Sequence, residues 1–293
     1  MTSTQKKVPS IAFFDSGQGG LTVWEPVVQK NLKLNTCYLG DNARTPYGNK
    51  SAEVVTRFTS EAVLYLAAQG ARMIVVACGT ASSAAVQNLQ SIYRIPIIGI
   101  VEGFCFEASQ LLKNNSEIVA VLGTRFTVSS GRFEQELKKH GVQNIWQRAC
   151  PLFVPLVEEG VAPGPLAEAA AEMYLADLPH NVRVVMLACT HFPRMACSIG
   201  ALIHAKTGRP VVLKNAHGDL QLHGGNIEQT IYLLESSTSI LSQVETFLDN
   251  QPDKSDFFKD NTRFFCTDAP NRFHAVGRFF TTLTLPNVEL VTL

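Results

Sequence analysis

Two cysteines stand in the same chemical setting: Arg72-Met73-Ile74-Val75-Val76-Ala77-Cys78-Gly79-Thr80 and Arg183-Val184-Val185-Met186-Leu187-Ala188-Cys189-Thr190-His191. Each is an apolar run of buried-strand type that ends in a thiol and a polar turn. The thiols are separated by roughly 110 residues, about the size of a small domain. Two related halves would each present one thiol at the carboxyl end of a parallel strand. A facing pair of thiols suits proton removal from one side of a carbon centre and proton return to the other.

A second correspondence lies upstream of each cysteine. Ile11-Ala12-Phe13-Phe14 runs into Asp15-Ser16-Gly17-Gln18-Gly19-Gly20, and Ile118-Val119-Ala120-Val121-Leu122 runs into Gly123-Thr124-Arg125, at nearly the same interval. Repeated spacing of this kind is how an internal duplication shows itself in sequence.

The elements that must hold these turns alternate in type. Strand-like runs fall near 11–14, 36–39, 73–77, 97–100, 118–122, 144–148, 183–188, 210–213, 263–266 and 288–291. Helical spacing fills 51–69, 81–93, 129–140, 165–175 and 226–248. Strands alternating with helices imply an α/β protein with doubly wound parallel sheets. Two pseudo-symmetric domains are expected, with the active site in the cleft between them. The first lobe would comprise 1–101 plus 212–293 and carry Cys78; the second would comprise 102–211 and carry Cys189. Ligands in such sheets bind beyond the carboxyl ends of the strands, where Asp15, Asp41, Cys78, Thr124 and Cys189 all fall.

With 293 residues, 46% apolar and 17% charged, the chain can bury two modest cores. Its 25 basic and 25 acidic residues give a formal net charge of +0, which argues against nucleic acid or an anionic membrane as partner. The stretch 1–10 has two lysines but no apolar segment after them, so a cytoplasmic location is the expectation. Seven cysteines without a C-x-x-C pair point to reduced thiols, with neither a disulfide framework nor a closed zinc site. Five of them (37, 105, 150, 197 and 266) are expected to be small buried hydrophobes. Glycines 17, 19 and 20 do not match G-x-G-x-x-G, so no nicotinamide site is expected.

Longer motifs carry a resemblance. Phe14-Asp15-Ser16-Gly17-Gln18-Gly19-Gly20-Leu21-Thr22-Val23, Gly40-Asp41-Asn42-Ala43-Arg44-Thr45-Pro46-Tyr47-Gly48-Asn49-Lys50, the two cysteine turns, and Cys150 through Gly160 resemble, in order, motifs of the glutamate racemases. These are cofactor-independent members of the aspartate/glutamate racemase superfamily. The resemblance implies interconversion of L- and D-glutamate, supplying D-glutamate for peptidoglycan, with no cofactor and no metal. It implies that Cys78 acts on the D-enantiomer and Cys189 on the L-enantiomer, Asp15 assisting Cys78, and Glu158 with His191 assisting Cys189. It also places Asp15, Ser16, Pro46, Tyr47, Gly48, Gly79, Thr80, Thr190 and His191 around the ligand, with Thr124 and Thr127 on the same rim. A homodimer is implied by the resemblance alone.

The chemistry is consistent with those roles. The α-hydrogen of an amino acid is a weak acid, and a single base would tend to restore the starting enantiomer. A thiolate on one face and a thiol on the other give two faces and opposite protonation states. A free thiol has a pKa of about 8.5, so its surroundings must help it ionise. A neighbouring carboxylate would instead oppose ionisation, which casts Asp15 as a hydrogen-bond partner or proton acceptor.

Four positions depart from the family pattern, Gln18 and Ala188 only mildly. Gly79 stands where asparagine is usual, and loss of a charged-group hydrogen bond would weaken binding by roughly ten- to a hundredfold. Gly103 replaces a proline and is expected to loosen the crossover after Gly99-Ile100-Val101-Glu102. A racemase for another amino acid such as aspartate, or a non-catalytic amino-acid-binding paralogue, are the alternatives that Gly79 leaves open. His217 and His223 are expected to be surface or loop residues.

Overall fold

A computed structural model describes residues 10–293, so the residues before Ser10, read above for a leader, lie outside it. The strands are β1 (Ser10–Asp15), β2 (Thr36–Gly40), β3 (Ala71–Val76), β4 (Ile97–Gly99), β5 (Ile118–Gly123), β6 (Asn144–Ala149), β7 (Val182–Leu187), β8 (Val211–Asn215), β9 (Gly218–His223), β10 (Ile231–Leu234), β11 (Thr262–Cys266) and β12 (Val288–Leu290). The helices are α1 (Leu21–Lys30), α2 (Ala52–Ala68), α3 (Gly79–Ile92), α4 (Val101–Gln110), α5 (Arg125–Ser129), α6 (Arg132–Lys139), α7 (Phe153–Glu158), α8 (Pro165–Leu175), α9 (Ala196–Thr207), α10 (Ser237–Asp249) and α11 (Pro270–Gly277).

The strands form two sheets, ordered β12-β11-β2-β1-β3-β4 and β6-β5-β7-β10-β8-β9. All pairings are parallel except β8 with β9. Every residue of β1 and β7 is buried, as expected of parallel strands covered by helices on both faces.

The two sheets repeat the same local wiring. Ala77 N donates to Phe14 O and Ala188 N to Leu122 O, both at 2.8 Å; Asp41 N donates to Asp15 O at 3.0 Å and Cys150 N to Gly123 O at 2.9 Å. Cys78 and Cys189 therefore leave equivalent strand ends, each two residues beyond the ladder.

All ten expected strand positions are occupied, but the return to the first lobe is later than expected at 212. β8, β9 and β10 all hydrogen-bond into the second sheet, and the chain rejoins the first only at β11. The expected helix at 226–248 is also divided. Ile231-Tyr232-Leu233-Leu234 is a short apolar run that periodicity cannot assign, and its place between β7 and β8 makes it a strand. The 129–140 segment is split at Gly131, whose φ of +66° is left-handed and ends a helix turn.

The chain passes between the sheets twice, through α4 and through α10, and these two helices pack on each other. Gly103 lies within α4 where an added Cβ would stand 2.6 Å from Gln243 Nε2. It tightens the crossover by close approach instead of loosening it. Thr238 Oγ1 donates to Glu107 Oε2 at 2.5 Å across the same pair.

Candidate active site

The carboxyl ends of β1, β3, β5 and β7 meet around a cavity of about 260 Å³ between the lobes. From the first lobe come Ser16, Pro46, Tyr47, Gly48, Cys78, Gly79 and Thr80; from the second, Thr124, Glu158, Cys189, Thr190 and His191. The residues expected at the site line this cavity, except Asp15 and Thr127. Asp15 is fully buried beneath the cavity and does not line it. Its Oδ2 accepts from Gly17 N at 3.0 Å and its Oδ1 from Thr190 Oγ1 at 3.2 Å. Asp15 thus ties its own loop to the opposite lobe through Thr190.

Cys78 caps α3 with an extended backbone, φ −61° and ψ 120°, which turns its side chain across the helix start. Its Sγ is 3.4 Å from Ser16 Oγ. Burial pushes the Cys78 thiol up to about 12, Asp15 adding to the effect, while the hydrogen bonds at Ser16 and the Ala81 amide work against it. Burial also raises the Asp15 carboxyl, partly opposed by His191.

Cys189 has a different partner. Its Sγ is 3.9 Å from His191 Nδ1, and His191 Nε2 is 2.9 Å from Glu158 Oε1. Burial alone would lower His191, but its hydrogen bonds to Cys189 and Glu158 outweigh this and push it up to about 10. The imidazolium so favoured has Nε2–H committed to the carboxylate and Nδ1–H facing the sulfur. One thiol is thus served by an acid–base pair, the other by a hydroxyl over a buried carboxylate.

The lobes are drawn together by contacts that only small residues permit. A Cβ at Gly79 would overlap the Ala188 carbonyl oxygen, and one at Gly48 would stand 2.7 Å from Thr124 Cβ. Thr80 Oγ1 and Thr124 Oγ1 are 2.9 Å apart, with Thr127 Oγ1 3.0 Å beyond. Thr22 Oγ1 donates to Thr190 O at 3.2 Å. Thr127 is buried behind Thr124 and does not line the cavity.

Sequence reasoning missed Arg125, Val154 and Pro155, which also line the cavity. It also missed the anchoring of Tyr47, whose hydroxyl donates to buried Asp41; Asp41 in turn accepts from Arg44 Nε at 2.6 Å and Thr267 Oγ1 at 2.8 Å. Arg125 follows Thr124 at a strand end, a position that could have flagged it. Among the other thiols, Cys37, Cys105, Cys150 and Cys266 are buried as expected, whereas Cys197 is exposed because it falls on the outer face of α9. Glu159 turns to a separate apolar groove beside α8. His223 belongs to β9, not a loop, and stacks on His204 with centroids 4.6 Å apart; His217 is exposed. Among the described residues, no group of three or more His, Cys, Asp or Glu could hold a metal ion, and no helix is long and apolar enough to cross a membrane.

Comparison with known proteins agrees with this arrangement. The Asp/Glu/Hydantoin racemase family model matches residues 33–213. A glutamate racemase of Koribacter versatilis is 34% identical over 97% of this chain and 98% of its own length. The crystal structure of glutamate racemase from Thermus thermophilus in complex with beta-chloro-D-alanine superposes with TM-score 0.78 at 32% identity, covering 98% of each chain. That of Francisella tularensis glutamate racemase in complex with D-glutamate gives 0.79 at 26% identity, again over 98% of each. With two thiols facing one inter-lobe cavity and these relatives spanning nearly its whole length, the chain belongs to the Asp/Glu/Hydantoin racemase family and is an amino-acid racemase, an isomerase.

Proposed function

We propose that this enzyme interconverts L- and D-glutamate by proton transfer between Cys78, Cys189 and the substrate α-carbon, and that it supplies D-glutamate for peptidoglycan in the cytoplasm. The observation that carries this reading is the pair of cysteines from opposite lobes on one cavity wall, each with its own polar partner. Cys189 as thiolate, facing the His191 imidazolium, takes the α-proton of L-glutamate; Cys78 as thiol delivers a proton to the opposite face. In the reverse direction Cys78 takes the proton of D-glutamate and Cys189 returns one. Ser16, Thr80, Thr124 and Thr190 offer hydroxyls to the substrate's carboxylates and ammonium, and the α3 start offers backbone N–H groups. Glutamate as substrate is supported by the names of the relatives and by the D-glutamate complex of the Francisella enzyme. A homodimer rests on the resemblance alone.

The deciding experiment incubates purified protein with L-glutamate and, separately, D-glutamate in D₂O, following optical rotation and α-deuterium. Inversion with exchange, lost by a factor of about 10² to 10⁴ in Cys78→Ala and in Cys189→Ala, is expected. Faster turnover of aspartate than glutamate would reassign the substrate. Binding without exchange would leave only a binding protein.

A further inference from the structure

Among the described residues, Arg125 is the only lysine or arginine on the wall of the substrate cavity. It is exposed, and it begins α5 immediately after Thr124. Beside it a shallow groove of about 540 Å³ continues outward along Gly48, Asn49 and Lys50, with Phe126, Val128 and Ser129 opposite. No aspartate or glutamate lines this groove. Neither the Arg125 nor the Lys50 side chain has an ionic or hydrogen-bonded partner among the described residues.

The absence of a partner is informative beside the rest of the wall. Glu158 and His191 are paired at 2.9 Å, so their charges largely cancel. Arg125 is then a cation at the cavity mouth with no carboxylate partner among the described residues, and its sign is opposite to that of a dicarboxylate amino acid, which is a net anion at neutral pH. An exposed ion pair held at contact adds little in water. A lone cation's field, by contrast, reaches about one screening length, about 10 Å at 0.1 M salt. A guanidinium on the cavity wall therefore attracts the anion both as it approaches the mouth and once it is bound within that range.

We propose that Arg125, with Lys50 behind it, is a recruitment site that gathers the anionic substrate from solution and sets its apparent affinity. This rests on the reading of the cavity as the site for an acidic amino acid. Arg125 does not touch the reacting atoms in this scheme; it is a residue of capture and selection, favouring dicarboxylates over neutral amino acids.

The test compares D-glutamate binding by calorimetric titration, and KM against kcat, in the unmodified enzyme, Arg125→Gln, Arg125→Lys and Arg72→Gln. Arg72 is an exposed arginine at the amino end of β3, remote from the cavity, and controls for net charge. At an ionic strength of about 0.01 M, where screening extends to about 30 Å, Arg125→Gln is expected to raise Kd and KM by about tenfold. Arg125→Lys and Arg72→Gln are expected to stay near the unmodified values. At about 1 M salt, where screening falls to about 3 Å, all four proteins are expected to converge. Equal Kd for the unmodified enzyme and Arg125→Gln at low salt overturns the proposal, as does a gap that persists at high salt. Binding of D-glutamate without deuterium exchange would sink the racemase reading while the titrations still decide the role of Arg125. No binding by the unmodified enzyme would sink both.

Discussion

Gly79, the residue after one cysteine, packs directly on the carbonyl oxygen of Ala188, the residue before the other. The thiol-bearing turns are therefore fitted to each other backbone to backbone, and the distance between them depends on there being no side chain at position 79.

That contact ranks three substitutions. Gly79→Ala would strike fixed backbone, Gly48→Ala would strike the Thr124 side chain, and Gly17→Ala would meet nothing within 4 Å. Thermal unfolding and turnover should follow that order. Gly79→Ala should lose about 1–3 kcal/mol and most of its activity, Gly48→Ala less, and Gly17→Ala should match the unmodified protein in stability. A Gly79→Ala enzyme with normal Tm and kcat would show that the lobes are not seated this closely.

A second prediction concerns Glu158. His191 titrates near 6.5 when unfolded and at about 10 in the fold. Because the folded value is raised, the stabilisation is fully present below about pH 6.5 and is lost as pH rises toward about 10. Glu158→Gln removes one cause of the raised value, so the imidazolium is lost at lower pH. The alkaline limb of the L-to-D rate should move down in pH, with a loss of about tenfold or more at its former optimum. An unmoved pH profile would exclude the His191–Glu158 pair from the reaction.

Thiol reactivity offers a third check. Cys78 is held as a thiol by burial and Asp15, whereas Cys189 faces an imidazolium; Cys197 is an exposed reference. Brief iodoacetamide treatment near pH 7.5, read by peptide mass spectrometry, should label Cys189 ahead of Cys78. Labelling of Cys78 first would show that burial and Asp15 do not hold it unreactive.

Tyr47→Phe isolates the anchor beneath the Pro46-Tyr47-Gly48 wall. Removing the hydroxyl leaves Asp41 with Arg44 and Thr267 only. A buried hydrogen bond to a charged acceptor contributes about 1.5–3 kcal/mol, so Tm should fall and KM should rise as the wall loosens. Unchanged Tm would mean that Arg44 and Thr267 satisfy Asp41 by themselves.

Much of this architecture was legible before the structure. Mainly apolar runs marked most of the parallel strands, and the recurring strand–cysteine–polar turn placed Cys78 and Cys189 at equivalent ends. What could not be read were features decided by tertiary neighbours. Ile231–Leu234 has no periodicity of its own and becomes a strand only between β7 and β8. The two hydrogen bonds that hold Asp15 below the cavity depend on Gly17 and on Thr190 of the other lobe. Arg125 carried no motif, and its lack of an ion-pair partner among the described residues is visible only in three dimensions.

The paired crossings through α4 and α10 have a mechanical meaning. A body tied to another by two adjoining segments has one easy rotation, about the line through the ties, as a door has about its hinge pins. Gly103 seated against Gln243 and Thr238 bonded to Glu107 hold those pins side by side. The groups that face the ligand lie off that line, so stiffening the α4–α10 pair is expected to restrict rotation of the lobes without altering any of them.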